Sequence, residues 1–159
     1  MRNRRCLLLT LLTIIISGMT GCDSDDNLPI YGTYTMDELI YHSLLGASTY
    51  DQTVKLLGDA RFIIKEKEFK IITAESTYEI TKPVYETRKM KEELVNQFQA
   101  AVSNVIALAG YKYMYQYEVF DGKKRTDYRL YLMDDELWLA MNTTTSEGEE
   151  ILLDLLRLK

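Results

Sequence analysis

Few residues in this chain are equipped for chemistry, and their spacing limits what they can do. His42 is the sole histidine, so a metal site built from several imidazoles is excluded. Ser43 follows it on what reads as a short helix. Neighbouring helical residues point about 100° apart, so the two do not make a nucleophile–base pair. Carboxylates gather at Asp134-Asp135-Glu136 and at Glu147-Gly148-Glu149-Glu150. Neither run has the Asp/Asn alternation of a calcium loop, and both fall at expected turns, where acids are ordinary. No phosphate-cradling glycine loop, Cys/His zinc cluster or Gly-x-Ser-x-Gly elbow occurs in the sequence. These residues predict a binding module without cofactor or metal, and not an enzyme.

The one unusual surface is a tyrosine stripe. Tyr111, Tyr113, Tyr115 and Tyr117 alternate with Lys112, Met114, Gln116 and Glu118, which puts four rings on one face of a strand. Two roles fit. The rings pack beneath a helix with their hydroxyls at the rim, or they join Trp138 to line a concave site for a flat or amphipathic ligand or a partner protein.

The elements that must position these residues are mostly strands. Leu28 to Thr35 reads as a first strand. Thr35-Met36-Asp37-Glu38 matches a capping box and predicts a short N-terminal helix carrying Leu39, Ile40 and Leu44 and ending at Gly46. Residues 49–57 fit a second short helix, stopped by Gly58. Around Phe62-Ile63-Ile64, Phe69–Ile72 and Thr77–Thr81 the pattern becomes that of a meander, and Pro83 stops the third strand or puts it at an edge. Met90, Leu94, Phe98, Val102, Val105 and Ala109 step by threes and fours, predicting one long amphipathic helix over about 89–109. Four strands follow, with Asp121-Gly122 and Asp134-Asp135 as turns. Tyr128, Leu130 and Leu132 face inward there, and Arg125, Asp127 and Arg129 face out. The expected fold class is mostly β (α+β): an antiparallel meander of about eight strands, barrel-like or strongly curved, with the long helix inserted midway.

Charge and the first twenty-two residues bear on location. Arg2, Arg4 and Arg5 precede an apolar run of eleven residues from Cys6 to Ile16. That is too short for a bilayer core, which needs about 20 helical residues, so residues 1–21 read as a removable export signal. Met19-Thr20-Gly21-Cys22 resembles the lipobox of bacterial lipoproteins cut by signal peptidase II, with Met19 where the family usually has Leu. The resemblance implies acylation of Cys22 and a lipid anchor such as palmitate on the extracytoplasmic side of the cell envelope. Asn3-Arg4-Arg5-Cys6-Leu7-Leu8 also fits a minimal twin-arginine pattern, although the strongly apolar run favours the general secretory route. Residues 22–28 form an acidic tether, which resembles either an inner-membrane retention signal or the surface-export signal of Bacteroidetes lipoproteins. Residues 29–159 form one domain. Without residues 1–21 the net charge falls from −5 to −8, which disfavours nucleic acid and anionic lipid headgroups as partners. With Cys6 removed and Cys22 acylated, no disulfide can staple the domain.

Two details at opposite ends of the chain resemble the lipocalin-like, or calycin, barrels. Gly32-Thr33-Tyr34 stands on the first strand where those families carry Gly-x-Trp, and Arg157 stands on the last. The resemblance implies that Arg157 closes the barrel base over Tyr34, and that the protein carries a small hydrophobic ligand. The alternative is an inhibitor or immunity-type lipoprotein whose acidic charge and tyrosines suit a basic partner. In each of these readings the chain is an anchored binding or interaction module; the competing class is an envelope enzyme that uses carboxylates and tyrosines.

Overall fold

The computed structural model describes residues 28–90 and 114–159. Among these residues, short runs of β-branched and aromatic side chains, broken by turns, give nine strands. They are β1 (Gly32–His42), β2 (Arg61–Lys65), β3 (Glu68–Ile72), β4 (Thr77–Thr81), β5 (Val84–Lys89), β6 (Met114–Asp121), β7 (Lys124–Met133), β8 (Glu136–Thr144) and β9 (Glu150–Leu158). They form one antiparallel sheet in the order β4-β3-β2-β1-β9-β8-β7-β6-β5. One short helix, α1 (Tyr50–Leu57), follows β1.

The sheet curls into a half-barrel, and the chain itself enforces the curl. β4 and β5 are its two edges, yet only Lys82 and Pro83 separate them in sequence. At 3.8 Å per Cα step, Thr81 and Val84 lie within about 11 Å of each other. Nine antiparallel strands give both edges the same direction, so β4 and β5 are two halves of one bent strand. Lys82 takes the left-handed conformation at the corner (φ 59°), and its N–H donates to the Lys67 carbonyl at 3.0 Å. The Tyr85 hydroxyl crosses the corner to donate to the Lys65 carbonyl at 3.1 Å. Tyr78 on β4 and Tyr128 on β7, far apart in strand order, meet with centroids 4.9 Å apart.

Both faces of the sheet carry apolar clusters. The inner one holds Phe62, Ile64, Phe69, Tyr117, Val119, Leu130, Leu139 and Leu156. The outer one holds Ile40, Met114, Tyr131, Met133, Trp138, Ala140 and Leu155. Burial on both faces explains why β8 and β9 read as near-continuous apolar runs.

Three expectations are revised. The stretch from Thr35 is no helix: it is the continuation of β1, which pairs with β2 over Gly32–Thr35 and with β9 from Met36 to His42. Register shifts between Met36 and Glu38 and between Leu39 and Tyr41 break the period of two, which leaves a spacing that imitates a helix. β5 is a ninth strand, in a stretch where no element was expected, while β4 ends before Pro83 at the edge of the sheet. Its last residue is Lys89, and the Met90 N–H donates to the Met114 carbonyl at 2.9 Å. The long helix therefore does not begin at 89, and the remainder of that expected span lies outside the described residues. The helix expected at 49–57 is present, with a capping box between Thr49 and Gln52.

Candidate functional site

β6 presents Tyr115 and Tyr117, the described part of the tyrosine stripe, inward. Tyr117 is buried in the inner cluster opposite Leu130, and Tyr115 packs half-buried against it opposite Leu132. The Lys89 ammonium stands 5.9 Å from the Tyr115 centroid, a cation–π distance. Tyr111 and Tyr113 lie outside the described residues. The same face carries a second aromatic group: Tyr128 meets Phe69 with centroids 5.2 Å apart, and Phe69 meets Tyr78 edge-on at 6.4 Å. Burial raises the phenol pKa of Tyr117, and pushes that of Tyr128 up to about 12. Of the stripe, Tyr117 is thus built into the core and Tyr115 packs at its edge.

Trp138 does not join it. Register puts Trp138 opposite Tyr131 and Arg157, in the outer cluster, where its indole N–H donates to Glu136 at 3.0 Å. Tyr34 and Arg157 are not brought together either. The Tyr34 ring packs on the inner cluster and its hydroxyl donates to the Ile30 carbonyl at 3.0 Å. Arg157 lies between the inward-facing Leu156 and Leu158, so it points outward. There it donates to Asp37 at 2.9 Å and pairs with Glu38 at 2.8 Å. Hydrogen bonds from Lys159 and Arg157 hold the Asp37 carboxyl below the usual carboxylate range.

Arg129 faces outward as its alternation requires, yet it is only 3% exposed. One guanidinium nitrogen donates to the Thr126 and Tyr128 carbonyls at 2.6 and 2.7 Å, and the other to Glu150 at 2.8 Å. Arg125 pairs with the same Glu150 and approaches Glu118. A buried guanidinium needs such full pairing.

The arrangement that sequence reasoning missed is centred on His42. Its Nδ1 lies 2.7 Å from Asp154 Oδ1 and its Nε2 lies 3.0 Å from the Ser48 carbonyl. Both side chains are largely buried. An imidazole oriented by a carboxylate is two-thirds of a hydrolytic triad, but here Nε2 meets a carbonyl and no hydroxyl. The Ser48 hydroxyl is bonded to Thr53 at 2.8 Å, and the Ser43 hydroxyl accepts the Leu45 N–H at 3.1 Å. The group works as a clasp that ties β1, β9 and the loop 43–49 together. One signal for it was present: Asp154 is the single charge within Ile151–Leu156, and a charge inside an apolar strand needs a partner.

Among the described residues no group of three or more His, Cys, Asp or Glu is placed to hold a metal ion, and no helix is long and apolar enough to cross a membrane. No protein-family model, curated protein or solved structure matches the chain.

Proposed function

We propose that this chain is an envelope lipoprotein: a β-rich domain tethered through acylated Cys22 on the extracytoplasmic side of a bacterial membrane, serving as a binding or interaction module. The observation that carries the reading is the order Arg-rich start, short apolar run, Met19-Thr20-Gly21-Cys22 and acidic tether. Two fatty chains at one cysteine suffice for stable attachment, and the nine-stranded domain supplies the exposed surface.

Recognition of another protein is the reading the described geometry supports best. The inner face is occupied by the buried side chains of Phe62, Phe69, Leu130, Leu139 and Leu156, which a small hydrophobic ligand would have to displace. The curl of the sheet favours the carrier reading only in outline. An inhibitor or immunity-type role toward a basic protein accords with the net acidic charge.

Metabolic labelling with radioactive palmitate tests the anchor. The wild-type chain is expected to take up label and to partition into the detergent phase, and Cys22→Ser to lose the label. An unlabelled wild-type chain refutes the reading.

A further inference from the structure

Two leucines stand in water at one turn. Leu44 is 97% exposed and Leu45 is 74% exposed, and Tyr50, whose ring meets His42 edge-on, is also exposed. Exposed apolar side chains grouped this closely mark a contact surface. We infer that the loop 43–49 is a second membrane contact, placing Leu44 and Leu45 in the interfacial region of the bilayer that holds the N-terminus. The inference rests on the anchoring proposed above, and three observations point to lipid as the occupant.

First, the polar side chains of the loop are already committed. The Ser43 hydroxyl accepts the Leu45 N–H, the Ser48 hydroxyl bonds Thr53, and the Thr49 hydroxyl accepts the Gln52 N–H at 3.3 Å. The Tyr50 hydroxyl donates to the Leu39 carbonyl at 3.4 Å. A protein interface uses about one hydrogen bond per 100–200 Å², and each of these hydroxyls already makes a bond within the domain. A lipid environment makes the opposite demand, that polar groups be satisfied internally.

Second, residues 39–50 contain no Asp, Glu, Lys or Arg. In a domain of net charge −5 over residues 29–159, this stretch adds no charge of its own to repel anionic headgroups, and Tyr50 is the kind of aromatic residue that favours the headgroup level.

Third, the loop is held before it binds. The His42 clasp fixes the Ser48 carbonyl, the Ser43 N–H donates to the Leu153 carbonyl at 2.7 Å, and the Gly46 N–H donates to the Ser43 carbonyl at 3.3 Å. A pre-ordered loop spends little free energy on ordering when it inserts. Leu28, where the tether joins the domain, and the loop flank opposite ends of β1, about 33 Å of strand apart. The six steps from Cys22 to Leu28 can reach about 20 Å. Anchored at both points, the domain lies with β1 along the membrane surface.

The test uses the full chain, exported and processed in a bacterial host. It carries Leu45→Cys or, as a control at the β7–β8 turn, Asp135→Cys, labelled with an environment-sensitive maleimide dye. The probe is a phosphatidylcholine vesicle doped with nitroxide lipid. The loop label is expected to shift to the blue and to be quenched several-fold more strongly than the label at the turn. A loop label that stays in water on a vesicle-bound chain overturns the loop contact and leaves the anchor standing. Protection of the label only on adding envelope proteins assigns the leucines to a protein partner and likewise overturns it. Cys22 accepts the dye only if it is not acylated, so a second label by mass overturns the anchor and the inference with it.

Discussion

A methyl group added at Gly32 would stand 2.8 Å from the ring and hydroxyl of Tyr34. The Tyr34 ring therefore lies across the glycine, which leaves its hydroxyl placed to donate to the Ile30 carbonyl. Gly32→Ala is expected to destabilise the domain by about 1–3 kcal/mol, because the ring has to move away from a packed position. Tyr34→Phe should cost about 1 kcal/mol, the net value of one hydrogen bond. The double variant should cost less than the sum, since both changes break the same contact. Urea unfolding midpoints of the three variants check this, and strict additivity would mean that the ring and the glycine act independently. The pair Gly32 and Tyr34 was legible as a motif, but its job was not. The sequence shows two residues at fixed spacing and says nothing of the carbonyl that receives the hydroxyl. The His42–Asp154 pair was hidden for the same reason, since the partners lie 112 residues apart in the chain.

Elements with an uninterrupted rhythm were readable, and those shaped by their neighbours were not. β6 and β7 keep their alternation over Tyr115–Tyr117 and Tyr128–Leu132, on one side of a register shift between Glu118 and Phe120, and the residues expected to face inward there do so. β1 was half lost because its bulges answer to β9, a strand at the other end of the chain. β5 has only Tyr85 half-buried, with its other residues exposed, so no apolar pattern marks it. What defines it is the corner before it. Alternation also fixes the faces within one strand but not between strands, which is why Trp138 was grouped with tyrosines it does not face. The corner can be tested directly. A left-handed residue other than glycine costs about 1–2 kcal/mol, offset in part by the extra freedom that glycine gives the unfolded chain. Lys82→Gly is therefore expected to raise stability by about 0.5 kcal/mol. Lys82→Val should lower it by about 2 kcal/mol, because β-branching makes that conformation harder to reach. Thermal unfolding of the two variants distinguishes a strained corner from a neutral one, for which both shifts would vanish.

Across the whole molecule, cohesion rests on packing, and the buried tyrosines make it sensitive to alkali. Desolvation raises the pKa of Tyr128 on the inner face and of Tyr131 on the outer face, each to about 12, and raises Tyr85 further still. In the unfolded chain these phenols ionise near 10. Between about pH 10 and 12 the unfolded state gives up protons that the folded state keeps, so stability falls as pH rises. Each tenfold change in an ionisation constant is worth about 1.4 kcal/mol, so Tyr128 and Tyr131 each account for about 2–3 kcal/mol lost across that window. At the acid end the sign reverses. The lowered Asp37 carboxyl stabilises the fold above about pH 4 and loses that contribution as pH falls through its folded value, though its exposure keeps the effect small. Stability should therefore be level through neutral pH and drop steeply above about pH 10, inside and outside clusters failing together. Tyrosinate absorbance followed beside circular dichroism reads this directly: the buried phenols should ionise late, in step with loss of the sheet. If every tyrosine ionised near pH 10 while the sheet signal held, the rings on both faces would have to be open to water, and the packing described for β6, β7 and β8 would be wrong.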